Sequence, residues 1–256
     1  HALTSRISSS LAAAREQLIC RLTRARGIPR MVNGLRLHVD PGRRARFGRD
    51  HDSNCAAALR RRVKPGDVIW NAGANVGVYT LQLAHMVGAS GRVVAFEPNS
   101  HSATILQRNI RLNGFEGRVR VEHLAVAGRS GRATLFASGD SQMARLSQPN
   151  PMDGPQTPSA VGCTTLNDYA RANGGPAGIV MDIEGAEIEA LQAATDLLRE
   201  GPGWMLVELH PDAWDWSGHS AAQLAGLLDG FGWSVTPLSG QQDPLAGYGH
   251  VLLERR

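Results

Sequence analysis

At 256 residues and 42% hydrophobic composition, the chain can build one large α/β domain with a full core, and no run of 18 apolar residues exists to cross a membrane. Its net charge of +4 is uneven: residues 1–66 carry +11 and the rest −7. That basic quarter suits phosphate, anionic lipid or RNA, yet Phe47 is its one aromatic residue, which argues against a base-stacking platform, and the bias of arginine over a single lysine, Lys64, points to GC-rich coding.

Residues 1–62 read as a basic, partly helical N-terminal extension. Leu3, Ile7, Leu11, Ala14, Leu18 and Leu22 recur at helical spacing, which predicts a helix packing on the body or on a second copy in a homo-oligomer; a transit peptide has the same pattern, and no signal-peptide core is visible. Cys20, Cys55 and Cys163 form no C-x-x-C pair and suit a reducing, cytoplasmic setting. From Lys64-Pro65-Gly66-Asp67, a turn, the pattern alternates through residues 63–256. Strands are predicted at 68–72, 92–96, 118–122, 133–136, 179–183, 204–209, 233–236 and 251–253. Helices are predicted at 76–87, 100–113, 165–172, 186–198 and 221–231. Residues 138–164 show no apolar period and are expected to be a long irregular lid or binding loop. Alternating strands and helices imply a doubly wound, mostly parallel sheet that binds ligands beyond the carboxyl ends of its strands.

After the first of these strands comes Asn71-Ala72-Gly73-Ala74-Asn75-Val76-Gly77 and then a helix. Gly73 and Gly77 supply the sharp bends, and a helix start offers N–H groups to a carboxylate. Asn75 stands where a dinucleotide loop would have its second glycine, so a cofactor with a small carboxylate end fits better than a pyrophosphate. Glu97 ends the next strand, twenty residues past Gly77, where an acid accepts ribose hydroxyls; Pro98 turns the chain, and Ala125 lies where apolar contact with an adenine is expected.

Two further strands end in charge. Asp182 is followed by Glu184, Gly185 and Glu187, and Glu208 by Leu209 and His210. Both ends open toward the glycine loop. Asp182, Glu184 and His210 are therefore the catalytic candidates, the first two as acceptors of a hydroxyl proton and His210 as another base. Glu187 also fits a plain helix start, where an acid complements the dipole. Asp182, Glu208 and His210 form a candidate divalent-metal set.

The stretches KPGDVIWNAGANVGVYTL, VVAFEPN, TTLNDYA, VMDIEGAEIEAL and LVELHP resemble the FkbM family of methyltransferases, within the class I S-adenosylmethionine (SAM) dependent fold. The resemblance runs from about Lys64 to His210. It implies a seven-stranded sheet with the last strand antiparallel, and methyl transfer to a hydroxyl of a sugar, natural product or similar small molecule. It assigns SAM contacts to Gly73, Asn75, Gly77 and Glu97, with Asp182 at the junction with the acceptor; Asn71, Ala74, Thr80, Pro98 and Ala125 complete the candidate cofactor set. The family usually has Asp where Asn71 and Asn167 stand, and Asn71 keeps hydrogen-bonding ability without the charge. Rival readings are an RNA methyltransferase using the basic N-terminus, a non-catalytic protein on the same scaffold, and an NAD oxidoreductase. No N/D-P-P-Y/F motif follows Ile183, which counts against amino-directed base methylation.

Overall fold

A computed structural model describes residues 23, 26–137, 144–146 and 156–256. The helix expected over residues 3–26 lies almost wholly outside them, as does most of 138–155. A seven-stranded sheet in the order β12-β13-β11-β10-β3-β4-β5 organises the chain. Its strands are β3 (Val68–Ala72), β4 (Arg92–Phe96), β5 (Val119–Glu122), β10 (Gly178–Met181), β11 (Trp204–Leu209), β12 (Trp233–Pro237) and β13 (Gly249–Arg255). The pairs β3–β4, β4–β5, β3–β10 and β10–β11 are parallel, while β13 runs antiparallel to β11 and β12. The expected mostly parallel sheet with an antiparallel last strand is therefore present.

Both faces of this sheet are covered, so its central strands are largely apolar rather than alternating, with Asn71 a buried exception in β3. Ile69, Val93, Val180 and Leu206 point to one core, shared with α1 (Ser53–Arg62), α2 (Val78–Met86) and α3 (Ser100–Leu112). Trp70, Phe96, Ile179 and Met205 point to the other, shared with α4 (Leu166–Asn173), α5 (Glu187–Gln192), α6 (Thr195–Glu200) and α8 (Ala221–Gly230). Trp70, Phe96 and Tyr169 stack edge-to-face there, with ring centroids 4.7–5.8 Å apart.

Three expectations need correction. First, residues 28–62 are not appended to the domain. β1 (Ile28–Val32) and β2 (Leu35–Val39) form a hairpin around Asn33-Gly34, both with positive φ. Its Val32, Leu37 and Val39 enter the first core, and β2 is pinned to α3 by His38 N–H donating to Asn113 Oδ1 and Asp40 N–H donating to Asn109 Oδ1. Second, part of the supposed irregular segment is ordered sheet. β9 (Thr157–Thr164) joins β6 (Leu124–Val126), β7 (Gly131–Ala137) and β8 (Arg145–Leu146) in the order β6-β9-β7-β8. Pro158 and Gly162 interrupt its sequence pattern, and only its end is buried. Third, the helix expected over 186–198 breaks into α5 and α6. The Ala194 N–H tightens onto Leu191 O, three residues back, and the Leu197 N–H goes to Asn167 Oδ1. That contact gives Asn167 a neutral acceptor role inside the core.

Candidate functional site

β3 and β10 lie side by side while the connections from them leave in opposite directions, so their carboxyl ends frame the crevice where α/β sheets bind ligands. Two loops meet there. Gly73 has φ +77°, and a Cβ at that position would lie 1.6 Å from the Asp182 carbonyl oxygen. The glycine is needed because the loop after β3 presses against the loop after β10. Asn75 takes φ +47°, a left-handed conformation that asparagine tolerates better than most residues, so it does at this turn what a glycine would do. Gly77 (φ +101°) opens α2, and a Cβ there would meet Leu106 at 2.7 Å.

Six of the candidate cofactor residues surround one cavity: Gly73, Asn75, Glu97, Pro98, Ala125 and Asp182. The Glu97 carboxylate receives Asn75 N–H on Oε2 (2.7 Å) and Asn99 N–H on Oε1 (2.8 Å). Each oxygen retains a lone pair for a hydroxyl donor. Burial pushes this carboxyl up to about 7, against those two N–H donors. The cavity is narrow, about 50 Å³, because Leu135 of β7 and Leu146 of β8 roof it. A nucleoside therefore enters only if that roof shifts outward. Ala74 faces a neighbouring cleft. Asn71 and Thr80 lie beneath the loop, 1% and 0% exposed, with the Thr80 hydroxyl donating to Asn71 Oδ1 at 2.7 Å. Their geometry supports the loop from below and lines none of the three cavities described here.

The neighbouring cleft, about 530 Å³, shares Gly73, Asn75, Asp182 and Glu184 with that cavity. His210 opens α7 (Pro211–Ser217) at its floor. Its Nδ1 bonds Glu187 Oε1 at 3.0 Å, which turns Nε2 toward Glu184 Oε2 (3.6 Å) and Asp182 Oδ1 (3.8 Å). Glu187 is wholly buried and also accepts from Gly185 N–H (2.9 Å) and Trp214 Nε1–H (2.7 Å). It is more than a helix-start acid. Burial alone would raise its pKa, but His210 and those two donors outweigh burial and hold it below the usual range. Burial likewise disfavours charge on His210, yet Glu187, Asp182 and Glu184 carry it to about 9. His210 is thus an imidazolium near neutral pH and a poor base there. Burial, then Glu208, raises Asp182 well above its usual value; burial also raises Glu184, with His210 and Arg145 opposing. Asp182 Oδ1 and Glu184 Oε2 are buried atoms with no hydrogen-bond partner among the described residues, and Glu184 sits at a positive φ of 55°. One ligand atom each from Asp182, Glu208 and His210 falls within 4.8 Å of the others, so the candidate metal set is brought together.

Several lining residues were not foreseen. Tyr79 donates to Asp52 Oδ2 (2.9 Å) and lies 3.2 Å from His250 Nε2, while the Tyr248 hydroxyl donates to Glu208. Arg46, His51 and Asp52 bring the N-terminal region into the wall. Little in the sequence marks these positions, because they converge from segments 27 to 171 residues apart. Among the described residues Cys55 and Cys163 are free and buried, and no helix is long and apolar enough to cross a membrane.

The chain matches the Methyltransferase FkbM domain over residues 71–232, more than half its length. Among solved structures it is similar to a presumed rRNA-methylase from Clostridium thermocellum, at 14% identity over 79% of this chain and 93% of that one, with a TM-score of 0.51. It is also similar to an FkbM methyltransferase from Methylobacillus flagellatus KT, at 18% identity, 74% and 43% coverage and a TM-score of 0.48, so it spans less than half of that protein. A third is an O-methyltransferase from Bacillus cereus in complex with SAH, at 15% identity, 80% coverage of each chain and a TM-score of 0.46. At 14% identity the likeness to the Clostridium thermocellum structure speaks for the fold alone. The family match, with the loop and carboxylate geometry above, identifies the chain as a member of the FkbM methyltransferase domain family, within the SAM-dependent methyltransferase superfamily.

Proposed function

We propose that this protein is a SAM-dependent O-methyltransferase acting on a hydroxyl of a small molecule. The observation that carries the reading is the shared wall: Asp182 and Glu184 border both the Glu97 cavity and the carboxylate–histidine cleft. A group held in the first is within reach of a hydroxyl held in the second. The donors fit the cofactor. Glu97 offers two oxygens to a ribose diol, and Ala125, Val126 and Ile183 offer apolar walls to a purine. Bound there, SAM supplies an electrophilic methyl group. The protein's part is alignment and proton removal. The acceptor hydroxyl donates to Asp182 or Glu184, which takes the proton as the oxygen reacts. His210, held as a cation by Glu187, favours the ionised form of those carboxylates against the opposing effect of burial. The test is methyl transfer from labelled SAM to a panel of hydroxylated acceptors, with wild type and Asp182→Ala compared. Turnover should fall by about 10² or more, the scale of a lost general base, while the fold is retained. Unchanged turnover removes Asp182 from the reaction.

A second reading adds a divalent ion, favoured by the convergence of Asp182, Glu208 and His210 and by the carboxylate that orients His210. Calorimetric titration with Mg²⁺, Mn²⁺ and Zn²⁺ decides it: binding lost in Glu208→Gln supports it, and no binding to wild type ends it.

A further inference from the structure

We propose that Arg145 is an anion-recognition residue, and that the acceptor carries a carboxylate or phosphate beside its reacting hydroxyl. This rests on the methyltransferase reading only for which molecule brings the anion. Arg145 is 8% exposed, and its Nε and Nη1 have no hydrogen-bond partner among the described residues. Its Nη2 lies 4.0 Å from Glu184 Oε2, the outer limit of an ion pair. A structural arginine in this protein looks different: Arg62 meets Glu254 twice, at 2.9 and 2.8 Å. Buried donors left open are costly, and a guanidinium fork matches a carboxylate or phosphate in two parallel hydrogen bonds.

The surroundings provide room and a second cation. Arg145 stands where the carboxylate cleft meets a second cleft of about 660 Å³, between α7 and the small sheet. There His219 Nδ1 is another buried polar atom, with no hydrogen-bond partner among the described residues, and Arg129 lies exposed at the rim. Trp216 is 39% exposed, with the Arg145 guanidinium 5.2 Å from its ring centre, and offers a face for a sugar or aromatic ring. Glu184 borders both clefts. An acceptor anchored by its anion at Arg145 therefore presents a nearby hydroxyl to Glu184 and Asp182.

Calorimetry with glucuronate, glucose 6-phosphate and glucose tests this on wild type, Arg145→Gln and Arg145→Lys, with SAM titrated in parallel. Wild type should bind at least one anionic sugar tenfold or more tighter than glucose, and the preferred anion separates carboxylate from phosphate. Arg145→Gln should lose that preference, bind SAM as wild type does and melt no lower, because an open buried cation is gone. Arg145→Lys, with the charge but no fork, should fall between them; if the Gln variant does not fold, full anion affinity in the Lys variant overturns the proposal. Equal binding of glucose and the anions by wild type, or an undiminished preference in Arg145→Gln, also overturns it. Anion binding through Arg145 without SAM binding leaves the subsite standing and removes the methyltransferase reading; SAM binding without anion preference does the reverse.

Discussion

Replacing Glu187 by Gln removes a charge that lies wholly inside the protein at the site, while leaving its shape nearly unchanged. In the wild type, His210 titrates near 9 instead of its usual 6.5. At about 1.4 kcal/mol per pKa unit this corresponds to roughly 3 kcal/mol of stability. The sign follows from a raised folded-state pKa: the contribution is complete below about 6.5 and fades as the pH climbs through about 9. In Glu187→Gln the His210 pKa should fall, since burial then opposes the charge with only Asp182 and Glu184 to favour it. The amide also turns a donor toward Gly185 N–H or Trp214 Nε1–H, a pH-independent loss of about 1–3 kcal/mol. Histidine Cε1–H titration by NMR reads the first effect, and urea unfolding at pH 6, 7.5 and 9 reads both. The variant should lie about 4–6 kcal/mol below wild type at pH 6, where both effects apply in full, and the gap should narrow by pH 9. A His210 that still titrates near 9 in the variant, or a gap independent of pH, refutes the role given to Glu187.

Gly73→Ala drives a Cβ into the Asp182 carbonyl and forces alanine to a positive φ; a loss of about 3 kcal/mol or more is expected in chemical denaturation, with turnover lost as Asp182 shifts. Asn71→Asp restores the acid usual in the family but buries a charge against Thr80, so thermal unfolding should show a loss of about 1–3 kcal/mol while calorimetry shows SAM affinity unchanged within a few-fold. SAM affinity should rise with pH through about 7 as Glu97 ionises and its oxygens become acceptors for the ribose, and calorimetry from pH 6 to 8 should lose that slope in Glu97→Gln.

The sheet was legible because its strands are short apolar runs between turn residues, and Val68–Ala72, Arg92–Phe96 and Trp204–Leu209 stand where those runs predicted. The hairpin around Asn33-Gly34 carried its own turn signal within a basic region whose charge drew attention away from it. β9 left little trace, since half of it is exposed even though it pairs with β6 on one side and β7 on the other, so no apolar period marks it. At the site, sequence brought together the residues that follow strand ends, because topology fixes where those ends meet. It could not distinguish Asn71 and Thr80 beneath the loop from Glu97 in the cavity wall. Nor could it show that Glu187 turns inward to clamp His210, or that Arg145 ends between two clefts, because both depend on packing across the fold.

The central claim is that one wall, Asp182 with Glu184, separates a SAM pocket from an acceptor cleft. A crystal structure with S-adenosylhomocysteine and an acceptor probe such as glucuronate tests it most directly. The account predicts the ribose on Glu97, the purine beside Ala125 under a displaced Leu146 and Leu135, and the sulfur facing the side of Asp182 that looks into the cleft. A nucleoside bound elsewhere, or one whose sulfur faces away from Asp182 and Glu184, contradicts it.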